Sequence, residues 1–248
     1  MRKLLLLTLL VPAALPAAAP AQAPRLSADL ATCHTGIDPA DRYAVFTASM
    51  PALEGTDRMS MRFDLLERRP PSTAFAEVSV PRWGRWEKSR PARPGFIFSR
   101  RVGGLLAPAA YKAVVRFRWY DADGRLQRAA RRVTALCRQP DPRADLQAGA
   151  VAAEPGAKPG LATYTFPVTN AGKGPAGPFD VVLTVNGVPQ PAHRLGGLDP
   201  GERQLVTIAG PQCRPGSTVR IALDARSEVE ETDEANDVVD APCPPAQV

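Results

Sequence analysis

Met59, Met61, Phe63 and Leu65 alternate with Arg58, Ser60, Arg62 and Asp64, the two-residue period of a strand with one face buried. Ala113, Val115, Phe117 and Trp119 alternate in the same way within Tyr111–Tyr120. Asp121-Ala-Asp-Gly124 follows as a hairpin turn signal and leads into a further run, residues 125–136. Tyr43–Met50, Ala74–Val80 and Gly95–Val102 are further strand candidates. Later in the chain the candidates are Leu146–Val151, Ala162–Val168, Phe179–Asn186, Arg203–Ile208, Ser217–Leu223 and a short strand near Val238. Asn186-Gly187, Gly196-Gly197 and Asp199-Pro-Gly201 punctuate them as turns. No segment sustains a helical period, and no repeat of 20–50 residues suggests a solenoid. Short strands at this spacing predict an all-β chain of β-sandwiches rather than βαβ units.

Charge divides the chain in two. Residues 24–142 carry 21 Arg and Lys against 12 Asp and Glu, a net of +9, whereas residues 143–248 carry 8 against 13, a net of −5. The change falls at Arg138-Gln-Pro-Asp-Pro-Arg143, whose two prolines make a stiff, non-helical connector. Each half is long enough for one small core. At the start, Arg2 and Lys3 precede an apolar run from Leu4 to Val11, and an Ala- and Pro-rich stretch ends in Ala21-Gln22-Ala23. These are the parts of a cleaved secretory signal peptide, and the run is too short to cross a bilayer. The expected organisation is a signal peptide at 1–23, an N-terminal sandwich at 24–139, a linker at 140–144, a second sandwich at 145–243 and a tail at 244–248. The mature chain is expected to be secreted or periplasmic, without a membrane span.

The four cysteines fit export. None form a Cys-x-x-Cys pair, and His34 and His193 are not spaced with them as zinc ligands. Three pairings are open, and position favours one bridge per half, Cys33–Cys137 and Cys213–Cys243.

Three segments of the second half carry a resemblance. Val168-Thr-Asn-Ala-Gly172, Leu198-Asp-Pro-Gly-Glu202 and the stretch Asp224–Asp237 together resemble the CARDB family, the cell-adhesion-related domain found in bacteria. The resemblance covers about residues 145–240. It implies an immunoglobulin-like sandwich in exported proteins, used as a spacer or adhesive module, and implies no chemistry. The first half resembles no family, but Leu106-Ala-Pro-Ala-Ala-Tyr111 before its alternating strand is similar to the tyrosine corner of immunoglobulin-like sandwiches. A Tyr merely entering a strand would give the same letters. Two tandem immunoglobulin-like (fibronectin type III-like) sandwiches after a signal peptide are therefore expected.

Catalytic signatures are missing from the sequence. There is no Gly-x-Ser-x-Gly, no His-Glu-x-x-His and no Gly-rich phosphate loop. The chain is expected not to be an enzyme and to need no cofactor, with calcium the one open option. Glu228, Glu230, Glu231, Asp233, Glu234 and Asp237 crowd ten residues. The family pattern ends this segment in two asparagines, and Asp237 replaces the second. Glu231, Glu234 and Asp237 could offer calcium hard oxygens, although the spacing is not that of an EF-hand. The ordinary alternative, which the composition favours, is a solvated turn bonded to its own backbone.

The other constellation is basic and aromatic. Trp83 and Trp86 lie among Arg82, Arg85, Lys88, Arg90 and Arg93 in a proline-broken loop, and Arg116 and Arg118 share a strand face. Trp with Arg is the composition of binding hot spots, and the charge suits acidic glycans or membrane headgroups. Trp83, Arg85, Trp86, Arg116 and Arg118 are the candidate ligand-binding residues. The competing reading folds both Trp into the core and leaves the arginines to keep an edge strand soluble. Function reads as an exported, non-catalytic binding or adhesion module, its partner a protein or acidic glycan of the envelope and not a nucleic acid. The alternative is a structural spacer without a ligand of its own.

Overall fold

A computed structural model describes residues 25–243; the segments expected to be a signal peptide and a tail lie outside the described residues. In the first half, β1 (Ser27–His34), β2 (Tyr43–Pro51), β3 (Arg58–Arg68), β4 (Ala76–Glu77), β5 (Trp86–Lys88), β6 (Gly95–Gly103), β7 (Ala109–Tyr120), β8 (Leu126–Val133) and β9 (Cys137–Gln139) follow one another. They form two antiparallel sheets. One has the order β1-β2-β6; in the other β3 and β7 are central, with β4 and β5 along one side and β8 and β9 along the other. The alternating residues meet between the sheets. Phe46, Ala48 and Met50 of β2 face Met59, Met61 and Phe63 of β3 and Val115, Phe117 and Trp119 of β7, all buried. Trp119 donates its indole N–H to the Pro51 carbonyl at 2.7 Å, so its one polar atom is satisfied inside the core.

The Tyr111 hydroxyl accepts the Leu106 N–H at 2.9 Å and donates to Glu67 Oε1 at 2.5 Å. The side chain is buried, and burial, with the Glu67 carboxylate beside it, pushes the phenol well above its ordinary range. The tyrosine corner is therefore present. Cys33 of β1 is bonded to Cys137 of β9, tying the first strand to the last.

The second half contains β10 (Leu146–Ala148), β11 (Ala152–Pro155), β12 (Leu161–Asn170), β13 (Phe179–Val185), β14 (Val188–Pro189), β15 (His193–Leu195), β16 (Arg203–Pro211), β17 (Thr218–Ala222) and β18 (Val238–Pro242). Strand β12 is flanked by β16 on one side and by β10 and β11 on the other, and a second antiparallel sheet is built on β14-β13-β17-β18 with β15 beside β13. Tyr164, Phe166, Val168, Phe179, Val181, Leu183, Val219 and Ile221 fill the core, and Cys213 is bonded to Cys243. Both halves are antiparallel β-sandwiches.

Two expected strands differ in the structure. Ala74–Val80 shrinks to the two residues of β4: between the Val78 N–H, bonded to Leu65 of β3, and the Gly84 N–H, bonded to Phe63, the chain turns away and packs Trp83 on the core. The run Leu146–Val151 breaks at Gly149, where a side chain would meet the Pro167 ring at 2.5 Å, and resumes as β11.

Candidate metal centre

The acidic segment between β17 and β18 is organised by its own side chains. Asp224 has φ +39° and accepts the N–H groups of Glu228 at 3.0 Å and Val229 at 2.8 Å. Val229 is buried, which draws the following residues inward. Glu231 then pairs with Ala144 in a parallel bridge, and Thr232 N–H donates to the Ala144 carbonyl at 2.8 Å. The Glu231 N–H donates to Glu234 Oε1 at 2.9 Å, and Ala235 N–H to Asp233 Oδ1 at 3.0 Å, closing a tight turn.

This turn rests on Asn170, which is fully buried. Its Oδ1 accepts from Asp145 N–H at 3.1 Å and Gly172 N–H at 3.0 Å; its amide donates to the Gly174 and Leu198 carbonyls at 2.8 and 3.0 Å. Gly172 packs so closely on residues 143–145 that a Cβ there would lie 2.5 Å from the Ala144 carbonyl carbon. Asp145 in turn accepts from the Asn236 amide at 2.8 Å. The three segments that carry the CARDB resemblance thus meet in one place.

The arrangement brings one carboxylate oxygen each of Glu231, Glu234 and Asp237 within 4.8 Å of one another. Glu231 is 0% exposed and Asp237 9%. Glu231 Oε2 accepts the Leu146 N–H, but Glu231 Oε1 has no hydrogen-bond partner, nor has Asp237 Oδ1. Asn236 Oδ1 is a further buried oxygen without a partner. Burial pushes the Glu231 carboxyl up to about 7, with Asp237, Glu234 and Asp224 adding to the rise and the Leu146 N–H opposing it. Burial and the charges of Glu234 and Asp224 push Asp237 up to about 6, and a proton shared between the Asp237 and Glu231 carboxyls opposes the rise.

Four of the neighbouring acids are matched by arginines. Glu228 pairs with Arg194, Glu230 with Arg143, Asp180 with Arg194 and Arg226, and Asp240 with Arg220. Among the described residues no cationic side chain pairs with Glu231, Glu234 or Asp237. The expected solvated turn needs correcting on this point: the turn is there, but two of its carboxylates are taken inside. An orphaned buried carboxylate oxygen costs several kcal/mol unless a proton or a cation meets it. The donors are all hard oxygens, a set that suits calcium or another hard divalent ion.

The basic and aromatic candidates separate. Trp83 packs on the first core, edge-on to Phe46 and Phe63 with ring centroids 5.9 and 6.2 Å apart, so it is not an exposed anchor. Arg85 is exposed ahead of β5. Trp86, on β5, is half-buried, with the Arg118 guanidinium 4.2 Å above its ring. Arg116 pairs with the buried Asp64. Sequence reasoning assigned no role to Asp64, Asp145, Asn170 or Asn236; the family-like motif around Asn170 was the one available signal.

Residues 143–241 match the CARDB family model. A CARDB domain from Pyrococcus furiosus, crystallised in complex with di-metal ions, is similar to this chain at 23% identity and a TM-score of 0.32. The match covers 40% of this chain and 88% of that one. A chain of a chaperone–tip adhesin complex of CFA/I fimbriae biogenesis aligns at 13% identity and a TM-score of 0.27, covering 87% of this chain and 98% of its own. The class 5 fimbriae chaperone CfaA aligns at 13% identity and a TM-score of 0.29, covering 88% and 100%. No curated protein matches.

Proposed function

We propose that this chain, whose residues 143–241 form a CARDB domain, is an exported, non-catalytic binding or adhesion module whose second half is clamped by a divalent cation of the calcium class. The observation that carries the reading is the unpartnered, fully buried Glu231 Oε1 within reach of Glu234 and Asp237. A bound ion would be held by those three carboxylates and would neutralise charge that no ion pair among the described residues balances. Its role there is mechanical. It would fasten the 224–237 segment, and through Asp145 and Asn170 the start of β10 and the end of β12, into one unit.

Two features support a location outside the cytoplasm. Both disulfides belong to an oxidising compartment, and weak extracellular calcium sites work at the roughly millimolar levels found there. The signal-peptide pattern agrees. No helix among the described residues is long and apolar enough to cross a membrane.

The test is thermal melting of the mature chain in chelator and in roughly 10 mM calcium. With a Kd of about 10⁻⁴–10⁻³ M, that concentration stabilises by about 1.4–2.7 kcal/mol. The expected outcome is an upward shift of several degrees; superimposable transitions would overturn the reading.

A further inference from the structure

The outer face of the sheet built on β3, β7 and β8 gathers a second set of charges, remote in sequence from the carboxylates. Register places Arg62 of β3 opposite Arg116 of β7, and Arg116 opposite Arg131 of β8. Arg118 lies two residues along β7 on the same face, with Ala129 as its neighbour on β8. On the far side of β3, Trp86 stands opposite Arg62 and Lys88 opposite Ser60. Like charges directly opposite one another disfavour a sheet, so a row of three arginines calls for compensating negative charge.

One acid is built into this face. Asp64, with its side chain 2% exposed, accepts Arg62 Nε at 2.7 Å on one oxygen and Arg116 Nη1 on the other. Two guanidinium groups are thus fixed by one carboxylate, and their remaining N–H groups are left over; the Arg116 side chain is 46% exposed. Arg118 is fixed by a different means, stacked on Trp86 at 4.2 Å. The Arg131 guanidinium is exposed and has no side-chain partner among the described residues. Between them Ala129 leaves a depression of about 360 Å³, lined by Trp86, Arg116, Arg118, Ala129 and Arg131.

Edge protection accounts for basic residues on β8, the last strand of its sheet. It does not account for Arg116 and Arg118, because β7 is a central strand paired on both sides. We infer that this face is a binding site for an acidic polysaccharide. Neighbouring strands carry these arginines on Cβ atoms about 5 Å apart, and their planar forks suit bidentate contact with carboxylate or sulfate groups. The net +9 of this half draws a polyanion in. A bilayer is the poorer occupant: Arg118 covers one face of the Trp86 ring, and Arg and Ala supply most of the remaining lining.

The inference deepens the binding-module reading and is independent of the cation. The experiment measures binding of the mature chain, in chelator, to polygalacturonate and chondroitin sulfate, with dextran and phosphatidylglycerol vesicles as the other arms. Both acidic polymers are expected to bind at low salt and to be released by about 1 M salt, where the screening length is ~3 Å; dextran is not. Arg116→Ser with Arg131→Ser should weaken binding about tenfold or more. A charge-matched control, Arg125→Ser with Arg132→Ser, should lose much less. Trp86→Ala, which frees Arg118, should also weaken it, with melting recorded alongside each variant. The inference is overturned if neither polymer binds, if only vesicles bind, or if the control pair loses as much as the test pair. Polymer binding lost while calcium still raises melting removes this site alone; the reverse removes the cation alone.

Discussion

Glutamine in place of Glu231 keeps the side chain's shape and its bond to the Leu146 N–H but removes the buried charge. In the folded chain without a cation, Glu231 titrates at about 7 rather than at 4.5. A raised carboxyl binds its proton more tightly when folded, so the stability it contributes is full below about pH 4.5. That contribution is lost as pH rises through about 7. The interval corresponds to roughly 3 kcal/mol. Asp237, raised to about 6 beside it, titrates as part of the same pair, so the two costs do not simply add. In chelator, Glu231→Gln is therefore expected to match the wild type at pH 5 and to exceed it by up to roughly 3 kcal/mol at pH 8. For a domain of this size that is on the order of 10 °C in melting temperature. Calcium should narrow the gap at pH 8. The wild type should gain stability at pH 8 and little at pH 5, where protons hold the site; the variant should gain nothing at either. Circular dichroism melts across pH 5–8, each with chelator and with calcium, read all four quantities. A variant less stable than the wild type in chelator at pH 8, and equally responsive to calcium, would refute the reasoning.

Asn170→Ala removes four hydrogen bonds from a fully buried position and strands the Asp145 and Gly172 N–H groups and the Gly174 carbonyl; denaturant unfolding should show a loss of about 3 kcal/mol or more. Tyr111→Phe deletes the corner's bonds to Leu106 and Glu67 and should cost about 1–2 kcal/mol in the same assay. Trp83→Ala should destabilise the first half by about 3 kcal/mol, as a core truncation does, whereas an exposed anchor would leave melting unchanged. Replacing both cysteines of a pair by Ser should cost about 5 kcal/mol for Cys33–Cys137 and about 4 for Cys213–Cys243, with the longer closure losing more.

Much of the fold was legible because the strands obey a strict period. Met59 to Leu65 and Ala113 to Trp119 alternate without a break, and each buried letter is in the core. The cysteine pairing followed from position, and the corner from Leu106 and Tyr111. Strands of two to four residues, such as β5, β14 and β15, have too few positions for any period to show. The candidate site was legible only as a list of acids. Glu231, Glu234 and Asp237 sit three apart, a spacing that suits a solvated turn equally well. What distinguishes them is burial, imposed by Val229 and by the bridge from Glu231 to Ala144, a contact between residues 87 positions apart. The Trp-rich loop misled for the converse reason. Trp83 and Trp86 look alike in sequence, but the turn at 81–84 packs one, partly buried, against the core and leaves the other on the sheet face under Arg118.

The most direct test of the central claim is a crystal structure of the mature chain grown in millimolar calcium at pH 8. The account predicts one ion bound to oxygens of Glu231, Glu234 and Asp237 at about 2.3–2.6 Å. Glu231 and Asp237 in direct hydrogen-bond contact, with no ion between them and full calcium in the crystal, would contradict it.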